Sequence, residues 1–286
     1  MKHFLNLHRR KIVKTCLIIA ALFIIGVMFV DINPQDNDWD TDGRISATAT
    51  EEPNLPPPEN PVQRQFELSR NMSPSGTFYP LRDDDTRIVY LTFDDGPSYN
   101  VTPEILRILR ENGIRATFFV LGTEVEAFPE IVRQIVEEGH TLANHSFSHV
   151  YRDIYASADS LLAEIQQAED AINAALGFEY NNRIFRFPGG SHGRSLELRN
   201  AVLDAGFQYV DWNVVSNDSV TARSISADLI FRNTVTSTEM ANRAGQYQLT
   251  VLFHDNNTKM TTAEALPRII EFFREDGYEF RTLDEM

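Results

Sequence analysis

Hydrophobic patterning divides the chain into three regimes. Residues 16–30 (CLIIAALFIIGVMFV) are apolar or glycine without interruption. Residues 31–76 have few large apolar side chains and hold the run Pro56-Pro57-Pro58. From residue 87 onward, short β-branched and aromatic runs alternate with segments of helical period. Runs at 87–93, 116–120, 183–187, 207–214 and 248–253 predict strands. Helices are predicted after Thr102-Pro103-Glu104, where Ile105, Leu106, Ile108 and Leu109 lead to a stop at Asn112-Gly113. Another opens at Pro129, with Ile131, Val132, Ile135 and Val136 at helical spacing before Gly139. Further helices are expected at 158–176 (closed by Gly177), 196–205, 225–235 and 263–274. Strand and helix in alternation predict parallel strands joined by helical crossovers. Some six or seven such units in about 200 residues suit a closed or nearly closed β/α barrel. An open doubly wound sheet is the alternative.

Charge separates the amino end from the rest. The first thirty residues contain Lys2, Arg9, Arg10, Lys11 and Lys14 and no acid. Without those five, the 26 basic residues become 21 against 41 acids, a balance of −20. Basic residues before an apolar run and acids (Asp31, Asp36, Asp38) after it predict a transmembrane anchor with its N-terminus in the cytoplasm. A cleaved signal peptide would need small residues just past the run, where Met28-Phe29-Val30-Asp31 stand, so the uncleaved anchor is favoured. Cys16 opens the run and reads as one more apolar residue of the span. Residues 31–76, with nine acids, read as a disordered spacer stiffened by proline. Residues 77–286 are left as the folded part. A net charge of −15 argues against nucleic acid, and a single cysteine excludes a disulfide framework or a cysteine-rich metal cluster.

Polar groups gather at the predicted strand ends, where barrels build their sites. The first strand ends in Thr92-Phe93-Asp94-Asp95-Gly96-Pro97. Two carboxylates adjacent on extended backbone point apart and can take separate tasks, although Asp-Gly-Pro is also ordinary turn chemistry. In His145-Ser146-Phe147-Ser148-His149, histidines four apart on a helix would share a face. A histidine pair alone is often structural. Joined by a carboxylate from another strand end, it makes a two-histidine, one-carboxylate set suited to a divalent first-row metal. Phe185-Arg186-Phe187-Pro188-Gly189-Gly190 puts an arginine at a strand end, followed by glycine backbone that can approach a ligand. Asp211 and Trp212 lie on the 207–214 strand, with Asp218 just beyond, and Trp212 reads as core. Leu252-Phe253-His254-Asp255 ends a buried strand in a histidine.

TFDDGP, HSFSH, FRFPGG, the segment ending at Asp218, and LFH stand in the order of five motifs of the polysaccharide deacetylase family. That family shares the NodB homology domain and is also called carbohydrate esterase family four. The chain resembles it over about residues 87–284. The resemblance implies a distorted β/α barrel of about seven parallel strands. It implies Asp95, His145 and His149 as ligands of one divalent ion, Zn2+ foremost, with Co2+, Ni2+ or Mn2+ also compatible. It further implies Asp94 as general base, His254 as general acid and Arg186 as the partner that orients Asp94. Asp218 would pair with His254, the Gly189 N–H would face the oxyanion, and Leu252 would line the acetyl pocket. Two departures stand out. Val215 and Ser219 occupy places where many relatives carry Asp and Trp, and Phe187 and Gly189 stand where an Arg-Pro-Pro-Tyr motif is frequent. The expected activity is metal-dependent hydrolysis of N-acetyl groups from cell-envelope polysaccharide, with peptidoglycan amino sugars first. Acetylxylan, chitin oligosaccharides or an exopolysaccharide are alternative substrates, and a non-catalytic carbohydrate-binding module is the alternative of another class.

Overall fold

The computed structural model describes residues 86–219 and 225–286. The expected anchor and spacer lie outside the described residues, as does the start of the folded part at 77–85. Among the described residues no helix is long and apolar enough to cross a membrane.

Seven strands form one parallel sheet in the order β5-β4-β3-β2-β1-β7-β6. They are β1 (Ile88–Asp94), β2 (Thr117–Val120), β3 (Thr141–Asn144), β4 (Ile184–Phe185), β5 (Gln208–Tyr209), β6 (Val214–Val215) and β7 (Gln248–His254). A short β8 (Glu279–Phe280) pairs with Ile88 and Val89 of β1. The expected count of about seven parallel strands is met, but no ladder joins β5 to β6 among the described residues, so the sheet is a half-barrel. The expected single strand over 207–214 is two strands at opposite edges. Residues 210–213 cross the opening between them, and Asn213 fastens the far end by exchanging hydrogen bonds with Thr250. β3 was not foreseen. Its four residues, Thr-Leu-Ala-Asn, carry too little β-branched or aromatic character to stand out.

The helices are α1 (Val101–Glu111), α2 (Gly122–Ala127), α3 (Pro129–Glu137), α4 (Tyr151–Ile154), α5 (Ala158–Leu176), α6 (Leu196–Asp204), α7 (Ala227–Arg243) and α8 (Met260–Glu275). All but the short α2 and α4 were expected. α5 keeps its expected bounds because both ends are capped. Ser157 accepts from the Ser160 N–H, and Gly177 takes the left-handed conformation at φ 76°. α7 runs past the expected end at 235 to Arg243 and carries Thr234 and Thr238. Both are buried, so packing overrides their low helix propensity.

Period-two alternation sorts each strand into two faces. On β1, Val89, Leu91 and Phe93 point outward into the layer of helices, while Ile88 and Tyr90 point into the half-barrel. Phe118, Val120, Leu142, Val251 and Phe253 continue the outer core, and Phe119, Ala143 and Ile184 the inner one. Phe185 and Phe187 pack outward in a third cluster beneath α5 and α6. The inner face is apolar at its base and turns polar toward the strand ends. Following the alternation places Thr92, Asp94, Arg186, Leu252 and His254 on the inner face.

Phe93 stacks between Phe118 and Phe253, with ring centroids 5.1 and 5.6 Å away, and is fully buried. Phe93→Ala is expected to cost about 3–5 kcal/mol of stability, read as a lower urea midpoint at unchanged slope. A loss below about 1 kcal/mol would mean that this outer core does not hold the central strands.

Candidate active site and metal centre

Register brings the candidate site groups together. Asp94, the last residue of β1, lies opposite His254 of β7 on one side and Phe119 of β2 on the other. Asn144 at the end of β3 pairs with both Val120 and Phe185, which places His145 and Arg186 on neighbouring strand ends. Beyond β1 the chain turns sharply: Asp95 has φ 74°. This corrects the expectation that the two carboxylates diverge. Asp94 Oδ2 and Asp95 Oδ1 lie 3.7 and 3.6 Å from the same atom, His145 Nε2.

His145 and His149 do not share a helix face. They lie on a loop after β3 in which Ser146 and His149 have φ of 76° and 59°. Glu164 of α5 fixes this loop. Its carboxylate accepts the N–H groups of Phe147 and Ser148 at 3.0 and 2.8 Å and the Ser148 hydroxyl at 2.8 Å. His149 Nε2 is thereby set 3.5 Å from Asp95 Oδ1. One ligand atom from each of Asp95, His145 and His149 lies within 4.8 Å of the others. Donors about 2.0–2.1 Å from a tetrahedral ion stand about 3.3 Å apart, so this set is close to ligand spacing.

The donor chemistry fits a cation as well. Asp95 Oδ1 is buried and has no hydrogen-bond partner among the described residues. The Nδ1–H of His145 donates to the Arg186 carbonyl at 2.8 Å, which leaves Nε2 as the free donor atom. Burial holds His145 below the ordinary imidazole value, despite the nearby Asp94 and Asp95. Burial alone would raise the Asp95 carboxyl. The charges of His254, His149 and His145 and the Asn256 amide outweigh it and keep Asp95 below the ordinary carboxylate value.

Arg186 is wholly buried. Its Nη1 donates to Asp94 Oδ1 at 2.7 Å and to the Thr92 hydroxyl at 2.8 Å, and its Nε donates to the Val210 carbonyl at 2.9 Å. The guanidinium lies 3.9 Å from the Phe119 ring centroid. Asp94 is therefore aimed by a charged, planar brace that has no room to turn.

On the other flank, His254 Nδ1–H donates to Asp218 Oδ1 at 2.7 Å. Asp218 also accepts the His254 backbone N–H at 2.9 Å and the Thr262 hydroxyl at 2.9 Å. Burial opposes the charge on His254, but Asp218 more than compensates and raises it to about 9. Gly189 turns at φ 73°, a left-handed conformation suited to glycine, and its N–H has no intramolecular partner among the described residues. Leu252 is half-buried on β7, two residues before His254 and on the same face.

All nine residues singled out from the sequence thus lie on five strand ends, those of β1, β3, β4, β6 and β7, and the loops that follow them. Trp212 is not core. It is half-buried, 5.6 Å from Arg186 Cζ, with its ring against Gly190. Three contributors were not foreseen: Glu164, Tyr151 and Asp255. Tyr151 is 46% exposed, packs 5.3 Å from the His149 ring, and puts its hydroxyl where a Cβ on residue 189 would sit. The buried Asp255 accepts from Thr102 at 2.6 Å and fills the space a side chain on Gly96 would need. Burial raises its carboxyl to about 7. Only Asp255, next to His254 in the sequence, had a signal that could have been followed. Glu164 is one acid among several on a helix, and Tyr151 follows its motif without a spacing rule.

The polysaccharide deacetylase family model matches residues 82–210. A peptidoglycan-N-acetylglucosamine deacetylase of Bacillus cereus is 32% identical over 203 residues, 70% of this chain and 70% of that protein. A chitooligosaccharide deacetylase of Rhizobium leguminosarum bv. trifolii is 33% identical, covering 70% of this chain and 92% of that one. Among solved structures, a CE4 esterase of Streptococcus mutans superposes with a TM-score of 0.64 at 31% identity, over 69% of this chain and 86% of that one. A half-barrel with histidines and carboxylates at its strand ends defines the class, and the chain belongs to the polysaccharide deacetylase family. It is a deacetylase, a hydrolase.

The Asp218–His254 pair has a pH signature. His254, raised above its ordinary value of 6.5, contributes stability in full below about pH 6.5 and loses it as pH rises through about 9. In a histidine-ring NMR titration one imidazole is expected to change near pH 9, and Asp218→Asn should move it downward. A His254 midpoint at or below 6.5 in the unmodified protein would contradict the pairing.

Proposed function

We propose that this chain is a metal-dependent N-deacetylase of cell-envelope polysaccharide, with peptidoglycan amino sugars as its substrate. The observation that carries the reading is the convergence of Asp95, His145 and His149 on one point, with Asp94 and its register partner His254 beside them. Those three side chains would hold the ion, for which Zn2+ suits two imidazoles and a carboxylate. A divalent ion held there supplies Lewis acidity toward the acetamide carbonyl and lowers the pKa of a water.

The remaining work belongs to the side chains. Asp94, locked by Arg186, takes the proton of the attacking water through the oxygen that Arg186 does not hold. Charge developing on the carbonyl oxygen is met by the unpartnered N–H of Gly189, a donor typically worth about 3–4 kcal/mol in such a position. Leu252 offers an apolar surface beside His254 for the acetyl methyl. The amine must leave protonated, and His254, kept charged by Asp218, donates that proton from Nε2. Acetate and a free amino sugar result.

The named activities of the Bacillus and Rhizobium relatives support an N-acetylated glycan as substrate. The apolar run at 16–30, its basic flank and the acidic spacer after it support a domain held outside the cell membrane, next to the wall. A neutral chitin-like chain is a second reading, favoured by the Rhizobium likeness.

Asp94→Asn is isosteric and leaves the three ligands in place. It is expected to lower acetate release from N-acetylated glycan by roughly 10²–10⁴-fold while metal content stays at one per chain. In the unmodified protein, a chelator should abolish release and Zn2+ restore it. Full activity in the Asp94 variant, or activity indifferent to chelator, would overturn the mechanism.

A further inference from the structure

Beside the reaction centre lies a cleft of about 610 Å³, the size of a small-ligand site. Gly189 forms part of its wall, so the cleft opens onto the acetamide position. Trp212, which also lies near the Arg186 brace, forms another part. The other lining groups are polar: Ser191, His192, Arg194, Arg199 and Asp211.

Their charges are unevenly satisfied. Asp211 accepts both the N–H and the hydroxyl of Ser191. Arg194 is held by the carbonyls of Pro188 and Gly190, at 2.8 and 3.2 Å, and lies 3.7 Å over the Tyr155 ring. Arg199, on α6, makes no side-chain hydrogen bond or ion pair among the described residues, and its Nε is buried without a partner. Two guanidiniums therefore face one carboxylate in this cleft, within a chain of net charge −15. A half-buried arginine with unused donors is suited to a carboxylate, which its planar fork can bind through two parallel hydrogen bonds.

We infer that this cleft is an anionic-sugar subsite, in which Arg199 binds the carboxylate of a sugar next to the one being deacetylated. This rests on the deacetylase reading above and deepens it, since the favoured substrate becomes a glycan with acidic residues rather than a neutral polymer. A lactyl ether on an amino sugar and a uronic acid share that carboxylate chemistry.

Three probes separate the sources: a peptide-free tetrasaccharide of alternating N-acetylglucosamine and N-acetylmuramic acid, one of alternating N-acetylglucosamine and glucuronic acid, and neutral chitotetraose. The Zn2+-loaded enzyme is expected to prefer at least one acidic probe over chitotetraose by tenfold or more in kcat/KM, chiefly through KM. Arg199→Gln should collapse that ratio toward one, and Arg199→Lys should restore part of it. High salt should also erode the preference. Equal use of all three probes by the unmodified enzyme, or a ratio unchanged in Arg199→Gln, would overturn the subsite. If no probe is deacetylated, the functional reading fails. Calorimetric binding of the same probes to both proteins then still decides the subsite, which stands only if an acidic probe binds at least tenfold tighter than chitotetraose and Arg199→Gln removes the difference.

Discussion

A guanidinium with no exposure to solvent sits at the mouth of the half-barrel, and the polar groups around it take their places from how Arg186 is satisfied. Strand alternation sends it inward from the end of β4, among side chains that would otherwise be apolar. Removing a full charge from water is costly, and only a buried partner with further hydrogen bonds offsets it. Asp94, Thr92 and the backbone at 210–211 supply those bonds. The same contacts tie β1 to β4 and pin the segment that crosses the sheet opening. Asp94 is consequently fixed in direction before any substrate arrives, and His145 is aligned through the Arg186 carbonyl. One residue thus orients both the free carboxylate and a ligand-type imidazole.

Around this brace, two histidines are driven to opposite protonation states. His145 is buried and gives its Nδ1–H to a carbonyl, an arrangement that favours the neutral ring. His254 faces a buried carboxylate and favours the charged one. Environments that push like groups apart in pKa let a single site keep one imidazole neutral and another charged at the same pH. The cleft beside Gly189 adds a third electrostatic element, a wall with two arginines and one carboxylate.

Much of this was legible in the sequence, for definite reasons. β1 and β7 are long, rich in β-branched and aromatic residues, and end in Asp94 and His254, so their ends and their chemistry could be read together. α5 carried both of its caps. The short strands were harder: β3 has four residues, and β5 and β6 have two each, below the length at which alternation becomes visible. Where the chain turns back on itself, local pattern misled. The spacing of His145 and His149 fits a helix, yet Glu164, fifteen residues or more away, holds them on a loop with left-handed residues. Extended geometry at Asp94 did not carry through to Asp95 for a similar reason, since the buried Asp255 packs against the following turn at Gly96. Long-range partners decided these points, and no window of neighbouring residues contains them. The lack of a side-chain partner for Arg199 among the described residues belongs to the same class.

The proposed reaction requires one cation gripped by an acid and two imidazoles while a second acid beside them stays free. Anomalous diffraction at the zinc edge, from crystals of the purified protein grown with Zn2+, decides this. A single strong peak bonded to Asp95 Oδ1 and to the Nε2 atoms of His145 and His149, with both Asp94 oxygens left unbound, is the predicted result. A peak elsewhere, or one that takes Asp94 as a ligand in place of Asp95, would contradict it.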